Sequence, residues 1–265
     1  MVGFFQHHES ILGIQAFDIE LEILLNWRCL IAFQTCSSGL ISGEWGAQQV
    51  GNITEYLHFD GANDGDFVLH SLSGGLRENM VPEAGQAVFS GPVDLALLQE
   101  KLVAFTAENP VTASLTEEAG RFQLEVIGKS AHGASPASGI NGVTYLANFL
   151  SQFDFAGPAQ AYLTIAGQIL HQDHFGQATG VAYEDEKMGK LTMNAGVFSF
   201  DAASSDNRIA LNFRFPQGTD EKKIQAVLEG LEGVREVSLS QHMHTPHYTP
   251  MEDELVSTLL SVYEK

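Results

Sequence analysis

Residues 122–133 read FQLEVIGKSAHG, an alternating run of apolar and polar residues that ends in a turn of small residues. Alternation with a period of two predicts a half-buried β-strand over residues 122–127. The turn places one imidazole, His132, at the sheet edge, with room for a ligand to approach the ring and the backbone. His132 is therefore the first candidate functional residue. The alternative is an ordinary histidine of a solvated turn.

Short alternating strands of this kind recur from about residue 51, separated by turns rich in Gly, Asn and Asp. Helical periodicity predicts amphipathic helices at Leu95–Glu108 and Glu221–Leu231. Further helices are predicted at Asn141–Gln152, whose first residue can act as the N-cap, and at Ala159–His171. The fold class predicted from this pattern is α+β.

A weak internal duplication relates residues of about 65–135 to residues of about 190–245. Each region reads strand, hairpin, strand, proline, helix, strand, which is a ββαβ unit. One helix per unit covers only one face of a sheet. Two such units therefore predict an antiparallel sheet layer packed against helices on one side.

The charge balance excludes several classes of partner. Thirteen basic residues stand against 33 acidic ones, which gives a net charge of −20 and a sequence pI of about 4.7. Such a field repels phosphate backbones and anionic lipid surfaces, so neither nucleic acid nor a membrane is an expected partner. The apolar run at 23–33 is interrupted by Arg28 and is too short to span a bilayer.

The cysteine content and the N-terminus predict a cytoplasmic protein. The two cysteines, Cys29 and Cys36, cannot build a disulfide framework or a cysteine-rich zinc site. The N-terminus lacks the basic region and the small-residue cleavage site of a secretory signal. A reducing compartment fits both observations.

Several short motifs occur in a fixed order along the chain. They are LRENMVP at 76–82, GKSAHG at 128–133 with GIN at 139–141, HFG at 174–176, KLTMN at 190–194 and LNFRFP at 211–216. In this order they resemble bacterial dipeptidase V, of the dinuclear zinc aminoacylase and carboxypeptidase superfamily. The resemblance runs from about residue 51 to the C-terminus.

The resemblance implies a zinc-dependent hydrolase that cleaves dipeptides. In such enzymes a catalytic domain holds two zinc ions and a lid domain closes over the substrate. By this comparison residues 46–250 are the lid-like domain and residues 251–265 begin a helix of the catalytic domain. Residues 1–45 do not match the family and stay unassigned. The chain is therefore expected to be a fragment that carries mainly the lid.

The family's metal ligands are a His-x-Asp motif, a Glu-Glu pair and a final histidine, and none is found in this sequence. Glu184-Asp185-Glu186 reads as a solvated acidic turn, and His7-His8 has no aspartate at the required offset. His242-Met243-His244 could bind zinc or nickel adventitiously, although a polar strand edge is the preferred interpretation. No metal site is predicted, and the chain alone is expected to bind no zinc and to be inactive.

The resemblance also suggests roles for three residues. It makes His132 the donor to the oxyanion of the tetrahedral intermediate and Arg214 the ligand of a dipeptide's C-terminal carboxylate. Arg214 lies on a predicted strand whose Phe213 and Phe215 share the opposite face. Asn79 becomes a contact to the substrate backbone. The alternatives are an exposed arginine paired with an acidic neighbour and an asparagine that caps a turn.

Two other functions stay open at this point. Lid-type sheets of the superfamily also serve as dimer surfaces, so the chain could be a non-catalytic peptide-binding or association module. It could also be a degenerate gene product, which the unmatched first 45 residues would explain. Expected partners are a dipeptide substrate and either a missing catalytic segment or a second copy of the chain.

Overall fold

An eight-stranded antiparallel sheet organises the residues that the computed structural model describes, which are 47–61, 65–241 and 243–263. Its strands follow the order β11-β2-β10-β9-β3-β4-β6-β5. Two-stranded sheets pair β1 with β12 and β7 with β8. The strands are β1 (Ala47–Gln49), β2 (Gly51–Phe59), β3 (Val68–Gly74), β4 (Ala84–Ser90), β5 (Thr112–Glu118), β6 (Arg121–Ile127), β7 (Glu184–Asp185), β8 (Gly189–Lys190), β9 (Thr192–Asp201), β10 (Asn207–Phe215), β11 (Glu236–Leu239) and β12 (His247–Thr249).

Five α-helices occur in the described part of the chain. They are α1 (Leu95–Glu108), α2 (Gly142–Leu150), α3 (Gly157–Thr164), α4 (Glu221–Leu228) and α5 (Glu254–Tyr263). The α+β class and the bounds of α1 agree with the sequence prediction. The prediction for α4 was three residues too long, because the backbone turns away after Leu228.

The two middle helices show how local sequence defines an end. The Asn141 side chain accepts hydrogen bonds from the backbone N–H groups of Val143 and Thr144 and so caps α2, as predicted. The single helix predicted at 159–171 is instead α3, which starts at Gly157, followed by a π-helical turn at Ile165–Ile169. Gly167 lies in that turn, and a side chain there would collide with the backbone of α2.

The strand order of the sheet contains two matching halves, but the first unit has one strand more than the sequence pattern predicts. The first unit contains β3, β4, α1 and the hairpin β5–β6, and its strands lie in the order β3-β4-β6-β5. The second contains β9, β10, α4 and β11, and β2 lies between β10 and β11. Each half of the sheet therefore has four strands in an equivalent order. The second half takes one strand from the chain that precedes both units.

The core lies between one face of this sheet and the helices. Alternate residues of β2 and β10, such as Leu57 and Phe213, are fully buried in one cluster with Leu98 of α1 and Ile224 of α4. This is the two-layer arrangement that the sequence predicts. The opposite face is polar over much of its area.

Several sequence predictions lie outside the described residues. These are the unassigned segment 1–45, with its two cysteines and its histidine pair, and His242. The division into a lid-like domain at 46–250 and a terminal catalytic helix stays a prediction, although a helix, α5, is present at that end. Among the helices that the structure describes, none is long and apolar enough to cross a membrane.

Candidate functional site

A cleft of about 640 Å³ opens on the polar face of the sheet, where β2 and β10 run side by side. Their register places Asn212 opposite Thr54 and Arg214 opposite Asn52. Both strands also supply Tyr56 and Arg208 to the lining, and the loop after β3 adds two further residues. The cleft is therefore built on a rigid floor of paired strands with one wall made by a loop.

Arg214 is half-buried in this floor, and the neighbouring Phe213 and Phe215 are buried on the other face. The side-chain alternation predicted for this strand is therefore confirmed. β10 is an interior strand, paired with β2 on one side and β9 on the other. An interior strand fixes the backbone from which the guanidinium projects, which suits a residue that must hold a defined direction.

Asn79 and His132 lie on two loops that are joined by backbone hydrogen bonds. The Val81 N–H donates to the Ala131 carbonyl at 2.8 Å, and the Gly133 N–H donates to the Asn79 carbonyl at 2.7 Å. Met80 and His132 form an isolated antiparallel bridge. Asn79 lines the cleft together with Arg214, as the predicted substrate contacts require.

His132 follows the end of β6, which is paired with both β4 and β5. The histidine thus lies in the loop beyond the end of an interior strand, after the strand that the sequence predicts. Its Nδ1 accepts a hydrogen bond from the Ala134 N–H at 3.2 Å, so the neutral ring carries its proton on Nε2. Partial burial and the charge of Arg214 lower the pKa of His132. The positive charge of Arg214 therefore favours the neutral form of His132, which offers an Nε2–H donor.

Asn194 is a supporting residue to which the sequence gave no role. It is buried on β9, and its Nδ2 donates to the carbonyl oxygens of Glu78 at 2.7 Å and Met80 at 3.0 Å. The loop packs closely at this point, because a Cβ on Gly196 would collide with the Glu78 carbonyl oxygen. Asn194 thereby anchors the loop that carries Asn79.

A second group of polar side chains lies further along the same cleft. The Tyr56 hydroxyl donates to Glu78 Oε1 at 2.5 Å. Burial, followed by this hydrogen bond, raises the pKa of Tyr56 to about 12, so the phenol keeps its proton at neutral pH. The Arg208 guanidinium lies 6.0 Å from the centre of the Tyr56 ring and 3.9 Å from Asp206. This group carries no recognisable sequence motif, although polar residues alternate along both strands.

A smaller cavity of about 210 Å³ lies behind the His132 loop, between Pro136, α2 and the segment that carries the HFG motif. Burial, followed by the nearby His174, lowers the pKa of His171 to about 4. The Asp173 carboxylate accepts hydrogen bonds from the backbone N–H groups of the three residues at 177–179. Of these side chains, His174 and Asp173 line the cavity, and the Asp173 carboxylate already serves the loop.

The described residues contain no group of three or more His, Cys, Asp or Glu side chains placed to hold a metal ion. Glu184 and Asp185 form β7, and Asp185 accepts hydrogen bonds from the N–H groups of Lys187 and Met188 in an acidic turn, as predicted. His244 pairs with Asn52 through the backbone alone, outside any continuous strand. A dinuclear zinc centre therefore does not fit the side chains that the structure describes.

Comparison with known proteins relates the chain to bacterial dipeptidases. It is 34% identical over 213 residues to a β-Ala-Xaa dipeptidase of Lactobacillus delbrueckii subsp. lactis, a match that covers 79% of this chain and 45% of the relative. It is 26% identical over 207 residues to a provisionally named dipeptidase of Staphylococcus saprophyticus, covering 77% of this chain and 44% of that protein. These matches confirm the resemblance that the ordered motifs indicate. The chain spans about half the length of the curated relatives that it matches.

The similarity of the chain to solved structures is weaker. An aminoacylhistidine dipeptidase of Vibrio alginolyticus aligns with 81% of this chain and 48% of its own, at 12% identity and a TM-score of 0.37. A likeness of this size carries no argument. No family model matches the chain.

Proposed function

We propose that the cleft on the polar face binds dipeptides, as the substrate-closing part of a metallodipeptidase-type peptide hydrolase. The single observation that carries this proposal is that Arg214 and Asn79 line the same cleft, whereas His132 is not among the residues that line it. The names of the sequence relatives support the same class of substrate.

Each of the three residues has a task that its geometry allows. Arg214 binds the C-terminal carboxylate through two parallel N–H···O bonds. Asn79 offers an amide donor and acceptor to the peptide backbone. His132 donates its Nε2–H to the carbonyl oxygen of the scissile bond, on which negative charge develops during hydrolysis. Recognition of a free carboxylate favours short peptides over the interior of long chains.

Zinc is the cofactor that the family resemblance implies. The described residues do not supply its ligand set, so every step assigned to them is one of binding, orientation or hydrogen bonding. A zinc-dependent reaction would need ligands from outside these residues. We further propose a cytoplasmic location, because the two cysteines suit a reducing compartment.

The test is a binding measurement by isothermal titration calorimetry with Ala-Ala and with its C-terminal amide. We expect the acid to bind at least tenfold more tightly than the amide, because a charge-assisted hydrogen bond contributes about 1.5–3 kcal/mol. Arg214→Ala should abolish this difference. The matched control is Arg121→Ala, which removes an exposed arginine outside the cleft. Equal affinities for acid and amide in the unmodified protein would refute the proposed function.

Catalysis is tested separately. Metal content is measured on the purified protein, and dipeptide hydrolysis is followed with added zinc, cobalt or manganese. Turnover would show that the chain is an enzyme by itself. Binding without turnover would leave it a peptide-binding module or a lid that acts together with other residues.

A further inference from the structure

Three hydrogen-bonded side chains connect the cleft to the turn between β9 and β10. The Nε2 atom of His58 lies 2.8 Å from the Ser238 hydroxyl oxygen, and its Nδ1 atom lies 3.0 Å from Asp206 Oδ1. His58 lies on β2, Ser238 on β11, and Asp206 directly before β10. Serine, histidine and aspartate joined in this order through the two ring nitrogens form an arrangement that activates a serine hydroxyl for nucleophilic attack.

The direction of the two hydrogen bonds follows from the charge of Asp206. The bond from His58 is the largest of the effects that lower the pKa of Asp206, so this carboxylate is ionised at neutral pH and only accepts hydrogen bonds. His58 Nδ1 therefore carries the proton of this bond. In the neutral ring Nε2 then offers a lone pair that accepts from the Ser238 hydroxyl, which is the role of a general base.

The members of this chain are held in position by the fold. β2 is an interior strand, paired with β10 and β11, so it fixes the backbone of His58. The Asp206 N–H donates to the Ser204 hydroxyl at 3.0 Å, which orders the turn that carries the carboxylate. The His58 side chain is only 14% exposed, whereas Ser238 lines the cleft. The imidazole is therefore shielded from water while the hydroxyl is open to a substrate.

The cleft also supplies a cationic donor for the charge that develops on an attacked carbonyl oxygen. Arg208 lines the cleft together with Ser238, and it lies directly opposite His58 in the pairing of β10 with β2. Its Nε lies 3.9 Å from Asp206 Oδ2. A guanidinium carries five N–H donors, so this one long contact leaves donors that can stabilise an oxyanion.

We propose that Ser238 is the nucleophile of a site that hydrolyses small carboxylic esters, with His58 as the general base and Asp206 as the positioning residue that orients it. The Ser238 oxygen bonds to the ester carbonyl carbon while its proton passes to His58 Nε2. The ester C–O bond then breaks, and the leaving alcohol takes this proton. A water molecule, deprotonated by His58, releases the carboxylic acid from the acyl-serine, and the serine oxygen regains a proton. This activity goes beyond the proposed dipeptide binding and does not depend on it.

The first experiment is covalent labelling with a fluorophosphonate, in which the serine oxygen bonds to phosphorus and fluoride leaves. The label is added in the presence of EDTA, so that metal-dependent hydrolysis does not contribute, and the modified residue is identified by peptide mass spectrometry. We expect an adduct at Ser238. The unlabelled protein should hydrolyse p-nitrophenyl acetate, and the label should abolish this activity. Ser238→Ala should lose both the adduct and the hydrolysis.

The chain offers a matched control in a second serine–histidine pair. The Ser90 hydroxyl oxygen lies 3.0 Å from His70 Nε2. No described carboxylate lies within salt-bridge distance of His70, and neither residue of this pair lines the cleft. Ser90→Ala should therefore leave both labelling and hydrolysis unchanged.

Two further variants test the histidine and the aspartate. His58→Gln should lower the rate of ester hydrolysis by about 100-fold or more, because the general base is lost. Asp206→Asn should lower kcat by about tenfold, the value of one charge-assisted hydrogen bond. It should leave KM unchanged, since Asp206 acts through His58 and does not touch the ester. Thermal unfolding confirms that each variant is folded.

The outcomes are decisive. An unlabelled Ser238, equal labelling of Ser90, hydrolysis that survives in Ser238→Ala, or an unchanged kcat in Asp206→Asn would overturn the inference. The proposed function is judged on another quantity, the preference for Ala-Ala over its amide. A protein that lacks this preference but is labelled at Ser238 would refute the proposed function alone, and the reverse result would refute the ester site alone.

Discussion

The two faces of the main sheet are made by the same strands but serve different purposes. On the covered face Leu57 and Phe213 are fully buried against the helices. On the open face the adjacent Arg214 lines a cleft with Asn52. A step of one residue along a strand thus separates a side chain that packs in the core from one that lines the cleft. Mutations on the covered face should therefore lower stability, whereas mutations on the open face should lower ligand affinity.

The largest effect is expected from Phe213→Ala. Removing a fully buried aromatic side chain leaves a cavity and should lower the free energy of unfolding by about 4 kcal/mol. Its neighbour Arg214→Ala should lower it by less than about 1 kcal/mol, because the guanidinium is only half-buried and faces the cleft. Urea titration followed by circular dichroism measures both. If both variants lost a similar free energy of unfolding, Arg214 would contribute to stability as a core residue does.

Glu55 is the exception on the covered face, and it gives the second prediction. It is fully buried on β2, and neither of its carboxylate oxygens has a hydrogen-bond partner among the described residues. Burial, followed by the negative charges of Glu229 and Glu221, raises the pKa of Glu55 from 4.5 to about 8. The folded state therefore holds the proton more tightly than the unfolded state does.

The sign of the resulting pH dependence follows from this difference. The contribution of Glu55 to stability is fully present below pH 4.5 and is lost as the pH rises towards 8. We expect the free energy of unfolding to fall by an amount on the order of 3 kcal/mol across this window. In Glu55→Gln that fall should disappear, as measured by urea titration at several pH values. An unchanged pH profile in this variant would contradict the raised pKa.

The third prediction concerns Asn194, which connects the rigid sheet to the loop wall of the cleft. Asn194→Ala leaves two carbonyl oxygens without a buried donor and should cost about 2 kcal/mol in stability. Because the loop carries Asn79, dipeptide affinity should fall as well. Asn79→Ala is the matched control, since its exposed side chain should affect affinity but hardly stability. Normal binding in a destabilised Asn194→Ala would show that the loop keeps its position without this anchor.

The same contrast explains which parts of the fold could be predicted from the sequence. Signals that act within one element were read correctly, such as the cap at Asn141 and the alternation around Arg214. The hairpin β5–β6 was missed although Gly120 is the kind of residue that two-residue hairpin turns favour; in the structure both turn residues, Ala119 and Gly120, have positive φ, 51° and 76°.

Pairing between distant strands could not be predicted in the same way. β2 lies between β10 and β11 although about 150 residues separate it from β10 and about 180 from β11, and no local pattern encodes such a pairing. The contact of Tyr56 with Glu78 depends on the position of β2, and the contacts of Asn194 with the loop depend on the pairing of β3 with β9. The candidate residues were therefore identifiable by type and motif, while the side chains that support them became visible only in three dimensions.

The smallest effect is expected at His132. Burial and the charge of Arg214 lower its pKa, so the ring is mostly neutral at neutral pH. A bound carboxylate would offset the charge of Arg214 and raise the pKa of His132. By linkage, the affinity for Ala-Ala should then increase as the pH falls below neutrality, until the ring is protonated in the free protein as well.

We expect this increase to be about two- to threefold, because the imidazole is exposed and its interaction with the ligand is screened by water. Calorimetric titrations between pH 7.5 and pH 5 measure it, above the range in which the ligand's own carboxylate takes up a proton. In His132→Gln, which keeps an N–H donor but cannot ionise, the affinity should be independent of pH over the same range. An affinity for the unmodified protein that falls with decreasing pH would place the carboxylate away from His132. The open face would then bind its ligand through Arg214 without the imidazole.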